Sequence, residues 1–129
     1  MYLCRHAQAS PGEPDELRPL TDEGRAQAER LGTDLATVDP APDVVYSSPL
    51  LRARQTADVV ARALDVEVKV DERLAPGATL DDVRALASDA NRPFATVGHQ
   101  PDCSEIAHAL TGTDPGFRPG AMHALDVVD

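Results

Sequence analysis

The chain has 129 residues, 42% of them hydrophobic and 26% charged, with a formal net charge of −10. One domain spanning residues 1–129 is expected, large enough to bury a core without disulfides or a metal staple. The acidity argues against nucleic acid and anionic membrane as partners, which are bound through excess Lys and Arg, so only a local basic pocket would take an anion. No secretory leader and no apolar run of bilayer-spanning length is visible, which makes the cytoplasm the expected location.

In chain order, Leu3-Cys4-Arg5-His6 comes first, an apolar run that stops at an Arg-His pair. It reads as a buried strand delivering a cation and an imidazole to one edge of a sheet. A first strand beginning almost at Met1 is short for a central position, so the natural start is expected a few residues upstream. Sequencing the native N-terminus tests this, and Met1 as the first residue removes it. Gln8 to Pro19, rich in Pro, Gly and acids, reads as a surface loop.

Leu20-Thr21-Asp22-Glu23-Gly24 opens a helix capped by Thr21, with Gly24, Ala28, Leu31, Leu35 and Val38 at helical spacing and Pro40 and Pro42 ending it. Asp43 to Ser47 is a continuous apolar strand that stops at Ser47-Ser48-Pro49. A second helix follows at once, with Ala53, Ala57, Val60 and Leu64 on one face.

Val66 to Val70 alternates Val with charge and predicts a strand open on one side, near a sheet edge. After a turn-rich connection from Leu74 to Thr79, the pair Thr79 and Asp82 resembles a capping box for a helix bearing Leu80, Val83, Ala87 and Ala90. Pro93 to Val97 is a further buried strand stopping at Gly98-His99. The next helix starts near Asp102 with Cys103, Ile106 and Leu110 inward, and Ala121 to Val128 supplies a last strand. The two cysteines, Cys4 and Cys103, lie in apolar stretches without metal-ligand spacing and are expected as reduced core thiols.

Strands alternating with helices predict an α/β sandwich with a mostly parallel sheet. Three buried strands then end at Arg5-His6, Ser48-Pro49 and Gly98-His99, and in a parallel sheet those ends share one edge. That edge gathers Arg5, His6, Arg52 from the first turn of the second helix, and His99. Taken singly, Arg52 is explained as a solvated helix residue and His99 as a cap; their joint placement points to a pocket for a tetrahedral dianion. Arg suits it because its planar fork pairs with phosphate oxygens and stays charged. Two imidazoles beside two arginines, without an arranged carboxylate, make a poor metal site.

Four segments carry a resemblance: Arg5-His6-Ala7; Arg18-Pro19-Leu20-Thr21-Asp22-Glu23-Gly24; Ser48-Pro49-Leu50-Leu51-Arg52-Ala53-Arg54-Gln55-Thr56-Ala57; and Val97-Gly98-His99-Gln100-Pro101-Asp102. In this order the chain resembles the histidine phosphatase superfamily, which includes cofactor-dependent phosphoglycerate mutases, and is most similar to its small phosphohistidine phosphatase (SixA-like) branch. The resemblance implies a phosphoglycerate mutase-like three-layer α/β/α sandwich. It implies that His6 is the nucleophile that takes a phosphoryl group, and that Arg5, Arg52 and His99 bind the phosphoryl oxygens, with the Gln100 backbone as a further donor. Arg18 is implied at the pocket mouth, although a surface-loop arginine explains it equally well. No metal and no organic cofactor is implied.

Chemistry agrees with this reading. An imidazole attacks phosphorus only when neutral; nearby cations lower its pKa, and a hydrogen bond from its other ring N–H fixes the tautomer. Charge on the equatorial oxygens would meet Arg5, Arg52 and a His99 protonated in the phosphate-bound state, and water would then attack the phosphohistidine intermediate. One departure matters. Larger members of the superfamily carry an acid after an Arg-Leu pair to protonate the leaving oxygen, whereas Arg73-Leu74 here precedes Ala75-Pro76-Gly77. Asp81, Asp82 and Asp102 are substitutes by position, but each also fits a helix N-terminus. A missing acid penalises an alkoxide more than an imidazole leaving group, which favours phosphohistidine in a protein partner as substrate. The alternatives are a small phosphomonoester, hydrolysed by the same fold, and a catalytically weak module that only binds phospho-ligands. Nothing in the sequence indicates oligomeric state.

Overall fold

The computed structural model describes residues 1–127. Five strands form one sheet: β1 (Tyr2–Arg5), β2 (Val44–Ser47), β3 (Glu67–Val70), β4 (Ala95–Gly98) and β5 (Met122–Ala124). Their order is β3-β2-β4-β1-β5, with the first four parallel and β5 antiparallel to β1. Four helices, α1 (Asp22–Thr37), α2 (Leu51–Leu64), α3 (Leu80–Ala90) and α4 (Asp102–Thr111), supply the connections. This is the α/β architecture expected from the alternation of elements.

Strand periodicity sorts the helices into two layers. Tyr2, Cys4, Val45, Ala95 and Val97 face α1 and α2, packing on Leu31, Leu35, Ala57 and Val60. From the other face, Leu3 packs with Val83 of α3 and with Cys103, Ile106 and Ala107 of α4, while Val44 and Tyr46 meet Leu86 and Phe94. Central strands β2 and β4 are buried along their whole length, whereas β3 at the sheet margin is largely exposed, as the Val-charge alternation predicts. Cys4 and Cys103 are buried free thiols whose titration burial pushes upward.

Local signals read from sequence set the helix starts. The Thr21 hydroxyl accepts the Gly24 N–H at 2.9 Å, and Thr79 with Asp82 forms the anticipated capping box. Gly24 has a second role: a Cβ there would run into the Gln8 carbonyl, so only glycine lets α1 lie against the loop leaving β1. That loop is mostly exposed, yet it is tied down. Ala9 bridges Leu20, Ser10 N–H donates to the Pro19 carbonyl at 2.8 Å, and Asp15–Leu17 coils into a single 3₁₀ turn. The last strand is shorter than the expected Ala121 to Val128, and Val128 lies outside the described residues. No helix among the described residues is long and apolar enough to cross a membrane.

Candidate active site

The parallel register puts Arg5 opposite Gly98 and Ser47 opposite Val97, so β1, β2 and β4 end on one edge. His6 continues past β1 and its N–H donates to the Gly98 carbonyl at 3.0 Å, while Ser48 N–H donates to the Val97 carbonyl at 3.0 Å. These bonds extend the ladder one residue beyond each strand and fix where the next side chains point. His6 and His99 are thereby brought together, with ring centroids 5.2 Å apart and planes tilted by 57°. Arg52, in the first turn of α2, is 7% exposed and close enough to act electrostatically on both rings. The four residues expected at one edge are gathered there.

At His6, Nδ1 lies 2.7 Å from the Ala7 carbonyl oxygen. A carbonyl only accepts, so Nδ1 carries the proton and the lone pair of the neutral ring is on Nε2. Burial is the main cause that lowers the His6 pKa to about 4, opposed by the Ala7 hydrogen bond and helped by Arg52, Arg5 and Arg18. The ring is therefore an uncharged base at neutral pH, with one nitrogen available. Ala7 is held in turn, because its N–H donates to the Thr56 hydroxyl at 3.0 Å, and Thr56 is fully buried on α2.

His99 is 4% exposed and pairs through Nε2 with the Ser48 hydroxyl at 2.7 Å. Burial first, then His6 and Arg52, brings its pKa to about 4 as well. Its Nδ1 is buried without a partner, and so is Nε of Arg5. Nε of Arg54 and Oγ1 of Thr96 are buried without a partner in the same way. Arg5 is aimed by the C-terminal loop: Nη1 donates to the Phe117 carbonyl at 3.0 Å, and Gly120 N–H contacts both the Arg5 and His6 carbonyl oxygens at 3.2 and 3.1 Å.

Arg18 stands at the rim. Its Nε donates to the Ser10 carbonyl at 2.7 Å and its Nη1 to Asp15 Oδ1 at 3.0 Å, and its charge reaches His6. Asp15 is a residue the sequence reading passed over. Arg52 Nη1 donates to the Asp15 carbonyl at 2.9 Å and Nη2 to the Asp15 carboxylate at 3.2 Å, so the cationic edge holds one acid after all. The available signal was the i,i+3 spacing of Asp15 and Arg18, hidden in a stretch whose Pro and Gly content reads only as loop.

Gln100 contributes differently from its neighbours. Its side chain turns to Ser104, donating from Nε2 to the hydroxyl at 2.8 Å and accepting from the backbone N–H at 3.0 Å, which leaves only its backbone N–H for the anticipated role. The three carboxylates considered as replacement acids are engaged elsewhere. Asp82 accepts the Thr79 N–H in its capping box, Asp81 sits exposed 3.6 Å from Arg84, and Asp102 accepts the Gly77 and Ala78 N–H groups at 2.8 and 3.2 Å. Asp102 thus ties the Ala75–Ala78 loop to α4. Among the described residues, no three His, Cys, Asp or Glu side chains gather as a metal ion would need.

Residues 1–76 match the model of the histidine phosphatase superfamily, branch 1, and the chain belongs to that family. A protein of Picosynechococcus sp. is 34% identical over 118 residues, covering 85% of this chain and 72% of that one. The mitochondrial serine/threonine-protein phosphatase Pgam5 of Drosophila simulans is 30% identical over 92% of this chain, which spans only 39% of that protein. Among solved structures, the protein histidine phosphatase SixA complexed with tungstate superposes with a TM-score of 0.83, at 25% identity, over 94% of this chain and 83% of that one. A structure from Agrobacterium tumefaciens assigned as the phosphohistidine phosphatase SixA gives a TM-score of 0.80 at 29% identity, over 94% and 86%. The fold is therefore that of the SixA-like branch, as the four motifs imply.

Proposed function

We propose that the chain hydrolyses phosphate bonds through a covalent phosphohistidine at His6, and that its substrate is phosphohistidine in a protein. The carrying observation is the bond from His6 Nδ1 to the Ala7 carbonyl at 2.7 Å, because it leaves Nε2 unprotonated on a ring that Arg52, Arg5 and Arg18 act on electrostatically. In the first step Nε2 attacks phosphorus and the bond to the leaving group breaks. Charge on the equatorial oxygens is met by Arg5, Arg52 and His99, whose ring is held through Nε2 by the Ser48 hydroxyl. Water then attacks the phosphoryl group on His6 and frees phosphate. The similar SixA structure is a complex with tungstate, a tetrahedral oxyanion of the kind proposed for this hollow.

Support for a protein substrate comes from SixA and Pgam5, whose names both describe protein phosphatases while differing in the phosphorylated side chain. A groove of about 530 Å³ beside Arg5, lined by Phe117, Arg118, Pro119 and His123, gives a polypeptide room to approach. The choice of phosphohistidine rests on the leaving group. Ala75-Pro76-Gly77 carries no acid, Asp82 and Asp102 are committed to helix and loop backbone, and Asp81 stands exposed beside Arg84. Imidazole departs without a proton delivered to the breaking bond, and an alkoxide does not.

Rapid quenching after mixing with ³²P-labelled phosphohistidine protein tests this directly. The label is expected on His6, stable to alkali and lost in acid, while His6→Ala neither labels nor turns over and keeps its melting temperature. Turnover by His6→Ala would refute the assignment. Faster hydrolysis of phosphoserine than of phosphohistidine would refute the substrate.

A further inference from the structure

Among the described residues Asp15 is the one carboxylate clamped between two arginines of the site, and its geometry bears on which leaving group the pocket accepts. Its backbone oxygen and Oδ2 take two N–H groups of Arg52, and its Oδ1 takes one of Arg18. A guanidinium carries five N–H donors, so Arg52 keeps up to three for phosphoryl oxygens while it holds Asp15. A phosphoryl group on Arg52 therefore lies beside this carboxylate. The carboxylate also acts on His99 across the pocket, and its side chain is 60% exposed, which sets it at the mouth, where a leaving group departs. Hydrogen bonding from Arg18 and the nearby Arg52 charge hold it below the usual carboxylate range. An anion at working pH has no proton to give, so Asp15 does not replace the missing acid.

A fixed negative charge at that point repels anionic leaving groups and favours one that presents an N–H. Phosphohistidine does so. Protonated on its distal nitrogen, the substrate ring takes back the electron pair of the breaking P–N bond and leaves as neutral imidazole, while His6 Nε2 forms the new P–N bond. No further proton is consumed. We propose that Asp15 determines specificity by accepting a hydrogen bond from the distal ring N–H of the substrate, holding the phosphoimidazole in its protonated, reactive form. The transfer is then symmetrical: each imidazole flanking the phosphoryl group has an oxygen acceptor on its far nitrogen, the Ala7 carbonyl for His6 and Asp15 for the substrate. This rests on the phosphohistidine reading given above.

The test compares kcat/KM for phosphoimidazole with that for p-nitrophenyl phosphate, whose leaving group is an anion, in the wild type, Asp15→Asn and Asp15→Glu. Asp15→Asn is expected to lower the phosphoimidazole value about tenfold, the scale of a hydrogen bond to a charged group, and to raise the p-nitrophenyl phosphate value. Asp15→Glu restores part of the ratio. A purely structural role lowers both substrates by one factor, and that outcome overturns the proposal while leaving the phosphohistidine reading standing. Wild-type protein that turns over p-nitrophenyl phosphate but not phosphoimidazole overturns both.

Discussion

At His6 one main-chain oxygen decides which nitrogen carries the proton, and burial decides that the ring is uncharged. With its pKa lowered to about 4, the ring stays neutral well below the range where an exposed histidine gains its proton. In a ¹H–¹⁵N titration of the wild-type protein, His6 is expected to change near pH 4 with its proton on Nδ1 above that point. A midpoint near 6.5 would mean that the pocket does not desolvate the ring. Residue types and order made His6, Arg5, Arg52 and His99 legible in the sequence, because each ends a strand or opens a helix. Asp15 was not legible, since its role depends on a loop folding back onto α2 and not on its neighbours in the chain. Gln100 was expected to act through its backbone, and its side chain caps a turn of α4.

At the scale of elements, periodicity and caps were enough to place all four helices and the three buried strands, because each signal is local. What they do not carry is contact between elements far apart. Gly24 reads from sequence as one more small residue on the inner face of α1, whereas its lack of a Cβ is what admits the Gln8 carbonyl. Gly24→Ala is therefore expected to lose roughly 1–3 kcal/mol of stability, as overpacking does, and to lower kcat by displacing the loop that carries Asp15 and Arg18. Denaturant melts and kinetics on the same preparation check this. Unchanged values of both would show that α1 and the loop separate freely. Asp102 illustrates the converse: a carboxylate that sequence offers as a replacement acid is occupied by two backbone N–H groups of a neighbouring loop.

For the whole molecule, the acidic composition and the cationic hollow are reconciled by burying Arg52, half-burying Arg5 and Arg18, and dispersing most acids over the surface. Two neutral histidines, His99 buried and His6 half-buried, make that arrangement sensitive to acid. Both have folded pKa values of about 4, below the ordinary 6.5, so the unfolded chain binds protons that the fold refuses. Their contribution is complete above pH 6.5 and is lost as pH falls towards 4. The slope reaches up to about 1.4 kcal/mol per pH unit for each ring, less for His6 because it is partly open to solvent. Between pH 7 and 5, above the main carboxylate range, the melting temperature of the wild type is expected to fall more steeply than that of His6→Ala/His99→Ala. Equal slopes would exclude the pair as the cause. The sheet order has a further consequence for biosynthesis. Among the described residues β1 pairs only with β4 and β5, so its ladder partners begin at Ala95. On the ribosome, at about 5–20 residues per second, the segment bearing His6 waits several seconds as a bare edge before its first partner emerges. His6 is the first part of the site to be made and among the last to be sheltered, which makes that interval the one in which a chaperone has most to protect.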